Sequence, residues 1–258
     1  MIKRVPMTRG RRLALIIGVP LALVIIGWTG VSEVAFAGIG SYRVRLDVPV
    51  HGPKVQLGLG SANADITQAA GDRLRLWGKA SYSIVRSTVT WRSTPSGAIV
   101  STQCHFLTGV CGFDFHVVLP AGRPASIADG SGDITLRGLS GRLSVSNGSG
   151  NINGSALSGP VNFQEGSGDV VVGGLASTDV TASDQSGNIT LTFTKVPGQV
   201  HVSNGSGDVR IVLPHGKTLY RVSATASSGD SVVGVHTSSV SRHVITVTDG
   251  SGNISVTY

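Results

Sequence analysis

The side chains best placed to do chemistry in this sequence are carboxylates and amides that return at one position of a repeated motif. From residue 130 onward Gly-Ser-Gly-Asp/Asn-Ile/Val recurs, first as Gly130-Ser131-Gly132-Asp133-Ile134. The glycine and Asx pairs are Gly132-Asp133, Gly150-Asn151, Gly168-Asp169, Gly187-Asn188, Gly207-Asp208, Gly229-Asp230 and Gly252-Asn253. Their spacings are 18, 18, 19, 20, 22 and 23 residues. Stacked carboxylates invite a calcium reading. The calcium-binding β-roll, however, repeats every nine residues or about half this period. Asn at 151, 188 and 253 also removes hard anionic ligands. The Asx side chains therefore read as turn formers that bond to nearby backbone N–H groups. No metal or cofactor is expected.

Other reactive constellations are sparse. Glycoside hydrolysis needs two carboxylates at a defined separation, and only Asp129 beside Asp133 and Asp179 near Asp184 cluster locally. The seven histidines are scattered, and Gly-Ser-Gly lacks the following Lys of a phosphate-binding loop. An enzyme is not expected; a carbohydrate-active β-helix enzyme is the alternative. Cys104 and Cys111, in CHFLTGVC, are candidates for a local disulfide in an oxidising compartment, with two buried free thiols as the alternative. His105 and His116 do not complete a recognised zinc spacing with them. Tyr82, Arg86, Trp91 and Arg92 form the candidate contact site, because aromatic and Arg side chains are typical binding anchors. The alternative is that Tyr82 and Trp91 cap the end of a core.

The elements that position these residues follow from the period. A lengthening repeat near 20 residues is a solenoid signature. Each repeat offers a strand with alternating apolar residues, such as Ile189, Leu191 and Phe193, then a turn and a second strand, such as Val200 and Val202. The Gly-Ser-Gly corner closes the coil, since tight corners require positive φ. Leu139, Leu157 and Leu175 stand 18 apart and form a second ladder. The expected fold is all-β: a β-solenoid with coils of about 18–23 residues. The polar strand from Arg242 to Thr248 is a candidate cap for its end. An internal echo links Val117-Val118-Leu119-Pro120-Ala121-Gly122 with Ile211-Val212-Leu213-Pro214-His215-Gly216.

The N-terminus predicts the compartment. Leu13 to Val31 is an uncharged apolar run preceded by Lys3, Arg4, Arg9, Arg11 and Arg12. As a helix it spans about 28 Å, enough to cross a bilayer. The positive-inside rule then places the N-terminus in the cytoplasm and the body outside. Cleavage near Ala35-Phe36-Ala37, giving a secreted protein, is the alternative. The formal charge of +7 owes much to those leading residues. No basic patch with a readable motif remains, which argues against nucleic acid. The expected organisation is a basic segment 1–12, a transmembrane helix 13–31, a linker 32–47, an irregular first β part 48–121 and the repeats 122–258.

These corners resemble those of the bacterial putative adhesin family, β-helices with repeated Ser-Gly-Asp-Ile/Val corners, often behind one transmembrane helix. The resemblance covers roughly residues 48 to 258. It implies surface adhesion or, from relatives beside such systems, an accessory of envelope stress signalling. Separately, the solenoid's long flat faces of stacked Asx, Ser and Thr side chains suit an extended partner, envelope polysaccharide or another surface protein.

Overall fold

A computed structural model describes residues 39–104 and 110–258. The expected membrane helix at 13–31 lies outside the described residues. The strands are β1 (Gly40–Pro49), β2 (Lys54–Ala69), β3 (Arg73–Tyr82), β4 (Thr88–Thr94), β5 (Gly97–Gln103) and β6 (Cys111–Pro120). Then come β7 (Ala125–Ser131), β8 (Ile134–Arg137), β9 (Leu143–Asn147), β10 (Ile152–Ser155), β11 (Val161–Ser167), β12 (Val170–Leu175), β13 (Asp179–Ser186) and β14 (Ile189–Phe193). The last are β15 (Gln199–Ser206), β16 (Val209–Val212), β17 (Arg221–Ala226), β18 (Ser231–Val233), β19 (Val244–Ser251) and β20 (Ile254–Thr257). No helix occurs among the described residues.

From β7 onward each pair of strands makes one coil. The odd strands stack in parallel in one sheet and the even strands in parallel in a second, which we call B and A. A corner joins the two strands of each coil. Alternation follows from this arrangement: Ile189, Leu191 and Phe193 point between the sheets and are buried, as are Val200 and Val202. The leucine ladder Leu139, Leu157 and Leu175 is buried at the opposite turn. One coil cannot cover its own apolar edge, so the fold is stable only as a stack.

Coil order departs from sequence order at both ends. β15 pairs with β19, and β19 then pairs with β17. In the other sheet β16 pairs with β20, and β20 with β18. The C-terminal coil is thus inserted between the coils carrying Gly207 and Gly229. This corrects the expectation that Arg242–Thr248 caps the stack. β19 is an interior strand with Ile245 and Val247 buried, and the short, polar β17–β18 coil forms the end. At the other end β2 is a complete coil by itself. Its first half pairs with β5 and β7 in sheet B, its second with β6 and β8 in sheet A. β2 thus lies between two coils that follow it in sequence.

Beyond β5 and β6 the pairing turns antiparallel. β4 extends sheet B, while β3 and then β1 extend sheet A. Residues 40–47, expected as linker, therefore belong to β1. The reason is a period of two: Tyr42, Val44 and Leu46 turn toward the core beside Ala80 and Leu76, while Arg43, Arg45 and Asp47 turn out.

Candidate contact face

The outer side of sheet A near the chain's start carries a grid of charged and aromatic side chains. β1 and β3 pair so that Arg43 stands opposite Lys79, Arg45 opposite Trp77 and Asp47 opposite Arg75. The β3–β6 register continues two rows, with Trp77 opposite His116 and Lys79 opposite Asp114. β2 adds Asp65 beside His116 and Asn63 beside Asp114. Trp77 is 42% exposed, although the strand's inward residues Leu74, Leu76 and Ala80 are fully buried. Its ring stacks on His116 with centroids 5.7 Å apart and planes 24° apart.

Charge is unevenly spread over this grid. β1 and β3 present Arg43, Arg45, Arg73, Arg75 and Lys79 against one carboxylate, Asp47. Asp47 accepts from Arg73 Nε at 2.6 Å. The next strands carry acids that are already engaged. Asp65 pairs with Arg137 and lies 3.6 Å from His116 Nδ1, and Asp114 accepts from Asn63 Nδ2 at 3.0 Å. A shallow concavity of about 910 Å³ runs over Arg43, Arg45, Trp77, Lys79 and His116. The grid can grip an anionic or aromatic-compatible partner through many small contacts. It does not offer two free carboxylates facing one bond.

The residues singled out in the sequence fall in three places. Tyr82 turns inward near Tyr42, with ring centroids 6.2 Å apart, and the Arg86 guanidinium lies 3.9 Å over the Tyr42 ring. Trp91 stands opposite buried Val100, so it lies on the core-facing side of sheet B at its open end, 51% exposed. Arg92 turns to the outer side. The structure thus brings Tyr82 and Arg86 together and separates Arg92 from them. Cys104 and Cys111 form a disulfide with Cα atoms 5.9 Å apart, and Cys111 stands opposite Tyr82 on β3. Sequence reasoning did not single out Arg43, Arg45, Trp77 and Lys79. Their signal was the alternation Tyr-Arg-Val-Arg-Leu-Asp and Arg-Leu-Arg-Leu-Trp-Gly-Lys, which puts every second residue on one exposed face.

The corner residues form two columns. In the outer one, taken in spatial order, Asn63, Asp133, Asn151, Asp169, Asn188, Asp208, Asn253 and Asp230 alternate strictly. Each Asx oxygen accepts the backbone N–H of the next member, as from Asp133 Oδ1 to Asn151 N at 2.8 Å. The Asn amides donate back to the preceding carboxylate, as Asn188 to Asp169 and Asn253 to Asp208. Alternation supplies that donor and keeps like charges two coils apart. The glycines meet a second demand besides positive φ, since a Cβ on Gly168 would run into the carbonyl oxygen of Gly150.

The inner column is buried and was not foreseen. It comprises Asp129, Asn147, Glu165, Asp184, Asn204 and Asp249, stacked in register along sheet B. Glu165 accepts from the N–H groups of Gly166 and Ser167, and Asn204 donates to the carbonyls of Gly187 and Gly207. These side chains tie the corners from inside. Burial pushes the Asp129 carboxyl up to about 6, partly offset by N–H groups of Ala62, Gly130 and Ser131. Burial likewise raises Glu165, Asp184 and Asp249. All four acids are buried behind the corners.

Residues 125–257 match the family described as Toastrack DUF4097, a span that includes every Gly-Ser-Gly corner but stops short of the contact grid. No curated protein matches the sequence. Among solved structures, a putative cell adhesion protein from Clostridium sporogenes is 15% identical, with 84% of this chain and 99% of that one covered and a TM-score of 0.33. A putative adhesin from Bacteroides fragilis is 13% identical, with 83% and 96% covered and a TM-score of 0.37.

Proposed function

We propose, from the premise that the chain belongs to the Toastrack DUF4097 family, that it is a non-enzymatic binding or structural module of the cell envelope. The apolar run Leu13–Val31 holds it on the membrane, the β-solenoid stands on the extracytoplasmic side, and the grid around Trp77 makes its contact. The observation that carries this reading is the row Arg45–Trp77–His116–Asp65 on an open sheet face. A large aromatic left 42% exposed above a packed core contributes little to that core. Trp and Arg are the side chains most often found as interface anchors. The solenoid's other chemistry is absorbed in the two corner columns, which makes it a stiff carrier for this face.

Replacing Arg45 and Trp77 together by Ala tests the reading. The full chain should lose binding to isolated envelope while its circular-dichroism spectrum and melting temperature stay unchanged. Normal binding by a folded double variant sinks the assignment. A reporter fused after Tyr258 should be active only outside the cytoplasm, and cytoplasmic activity sinks the topology.

A further inference from the structure

Resting on that displayed, membrane-held reading, we infer that the partner of the Trp77 face is the anionic headgroup surface of the chain's own membrane. Three observations converge. The first is distance. Only seven residues, 32 to 38, lie between the apolar run and Ile39, and an extended chain of that length reaches at most about 28 Å. β1 begins one residue later, so the end of that sheet face nearest Arg43 is tethered within little more than that distance of the bilayer.

The second is charge. β1 and β3 turn Arg43, Arg45, Arg73, Arg75 and Lys79 outward with one opposing carboxylate, Asp47. Clustered cations beside a membrane segment are drawn to anionic lipid, and the attraction fades within a Debye length of about 8–10 Å. A short tether holds this cluster at high local concentration beside the bilayer, so that it repeatedly enters that range. The third is Trp77 itself, which stands among those cations and opposite Arg45. Tryptophan favours the membrane–water interface, where the ring lies among headgroups and the indole N–H stays solvated. Asp114 and Asp65 sit farther along the same face, so the docked edge is the one formed by β1 and β3. Docked this way, the solenoid lies against the bilayer along β1–β3.

Tryptophan quenching tests the proposal, because the chain holds only Trp28, Trp77 and Trp91. The full chain is placed in nanodiscs of phosphatidylcholine alone or equimolar phosphatidylcholine and phosphatidylglycerol, each containing brominated lipid. One variant keeps only Trp28 (W77F with W91F) and another only Trp77 (W28F with W91F). Trp28 should be quenched in both discs. Trp77 should be quenched in the anionic disc alone, and high salt should reverse it. Arg43→Ser with Arg45→Ser should weaken docking roughly thirtyfold, at about fivefold for each cation. Unquenched Trp28 removes the membrane anchor, and the docking inference falls with it. Quenched Trp28 with Trp77 unquenched in both discs overturns docking alone. Equal Trp77 quenching in neutral and anionic discs overturns the electrostatic recognition. Envelope binding that survives in a variant whose Trp77 never meets lipid assigns the face to a polysaccharide or protein instead, and overturns the inference.

Discussion

Asp129→Asn should stabilise the protein at neutral pH and not at acid pH. Asp129 is 8% exposed and lies between Gly60 of β2 and Asn147 of β9 in the inner column. Burial raises its carboxyl from 3.8 to about 6 in the folded chain. A raised acid favours the protonated form on folding. Its share of stability is therefore fully present below about pH 4, falls as pH climbs toward 6, and is absent above that. A rise of that size is equivalent to about 3 kcal/mol between the two protonation states. Asparagine does not titrate, and the column already accepts amides one coil away: Asn147 donates to the Gly132 carbonyl. Urea unfolding of the full chain and the variant across pH 4 to 7.5 reads the difference directly. The variant should gain nothing near pH 4 and up to about 3 kcal/mol by pH 7. Glu165, Asp184 and Asp249 tilt both curves alike, and the nearest of them to Asp129 is two coils away, so the difference isolates Asp129. A gap that does not change with pH, or a less stable variant at pH 7, would refute the reasoning.

Two further outcomes follow from the corners. Gly168→Val forces a β-branched residue to φ +144 and against the Gly150 carbonyl, and should lower stability by at least about 1–3 kcal/mol in denaturant unfolding; an unchanged midpoint contradicts the corner geometry. Asn188→Asp removes the amide donated to Asp169 and places three carboxylates on consecutive coils, at Asp169, position 188 and Asp208. The expected loss is about 1–2 kcal/mol at low salt, narrowing at high salt, and a salt-independent loss would mean that charge is not the cause.

The repeat made the coils legible because each Gly-Ser-Gly-Asx corner answers a local demand, a positive φ and a close carbonyl neighbour. Coil order is a non-local property and left a subtler trace. Along the sequence the outer column reads Asp133, Asn151, Asp169, Asn188, Asp208, Asp230 and Asn253, so its alternation breaks once, between Asp208 and Asp230. In space Asn253 sits between those two and the alternation is whole. Two carboxylates on adjacent coils of this column would repel and lack the amide donor, so the break in pattern weighs against adjacency there. The inner column was harder to read. Asp129, Asn147, Glu165, Asp184, Asn204 and Asp249 occupy the place before the corner where polar residues usually signal exposure. Asn147, Glu165, Asp184 and Asn204 bond to the backbone of the corners from inside, a demand that the sequence pattern does not display. The proposed contact face was hidden for a different reason: aromatic content points to residues 82–92, whereas strand alternation decides which side chains face outward.

The interleaved ends answer the problem that every open solenoid faces. An outermost coil has strand partners on one side only, and its open edge is the place where a stack frays or pairs with another chain. Here the coil β19–β20 is clamped by strands on both sides, and the short coil β17–β18 takes the outermost place, joined to the chain at both of its ends. β2 holds the same interior place at the other end of the parallel stack. The two departures that make this possible share one sequence, Val-Val-Leu-Pro-Ala-Gly at 117–122 and Ile-Val-Leu-Pro-His-Gly at 211–216. The leucine is buried in each, Leu119 and Leu213, and so anchors the last position of its coil. A proline follows in each, Pro120 as the last paired residue of β6 and Pro214 two residues past β16. The chain then passes one coil before pairing again: β6 is followed by β7 across β2, and β16 by β17 across β19–β20. Each copy of the echo thus stands where the chain skips a coil. Its two copies bracket the regular stack, with the proposed contact face on the antiparallel strands beyond the first of them.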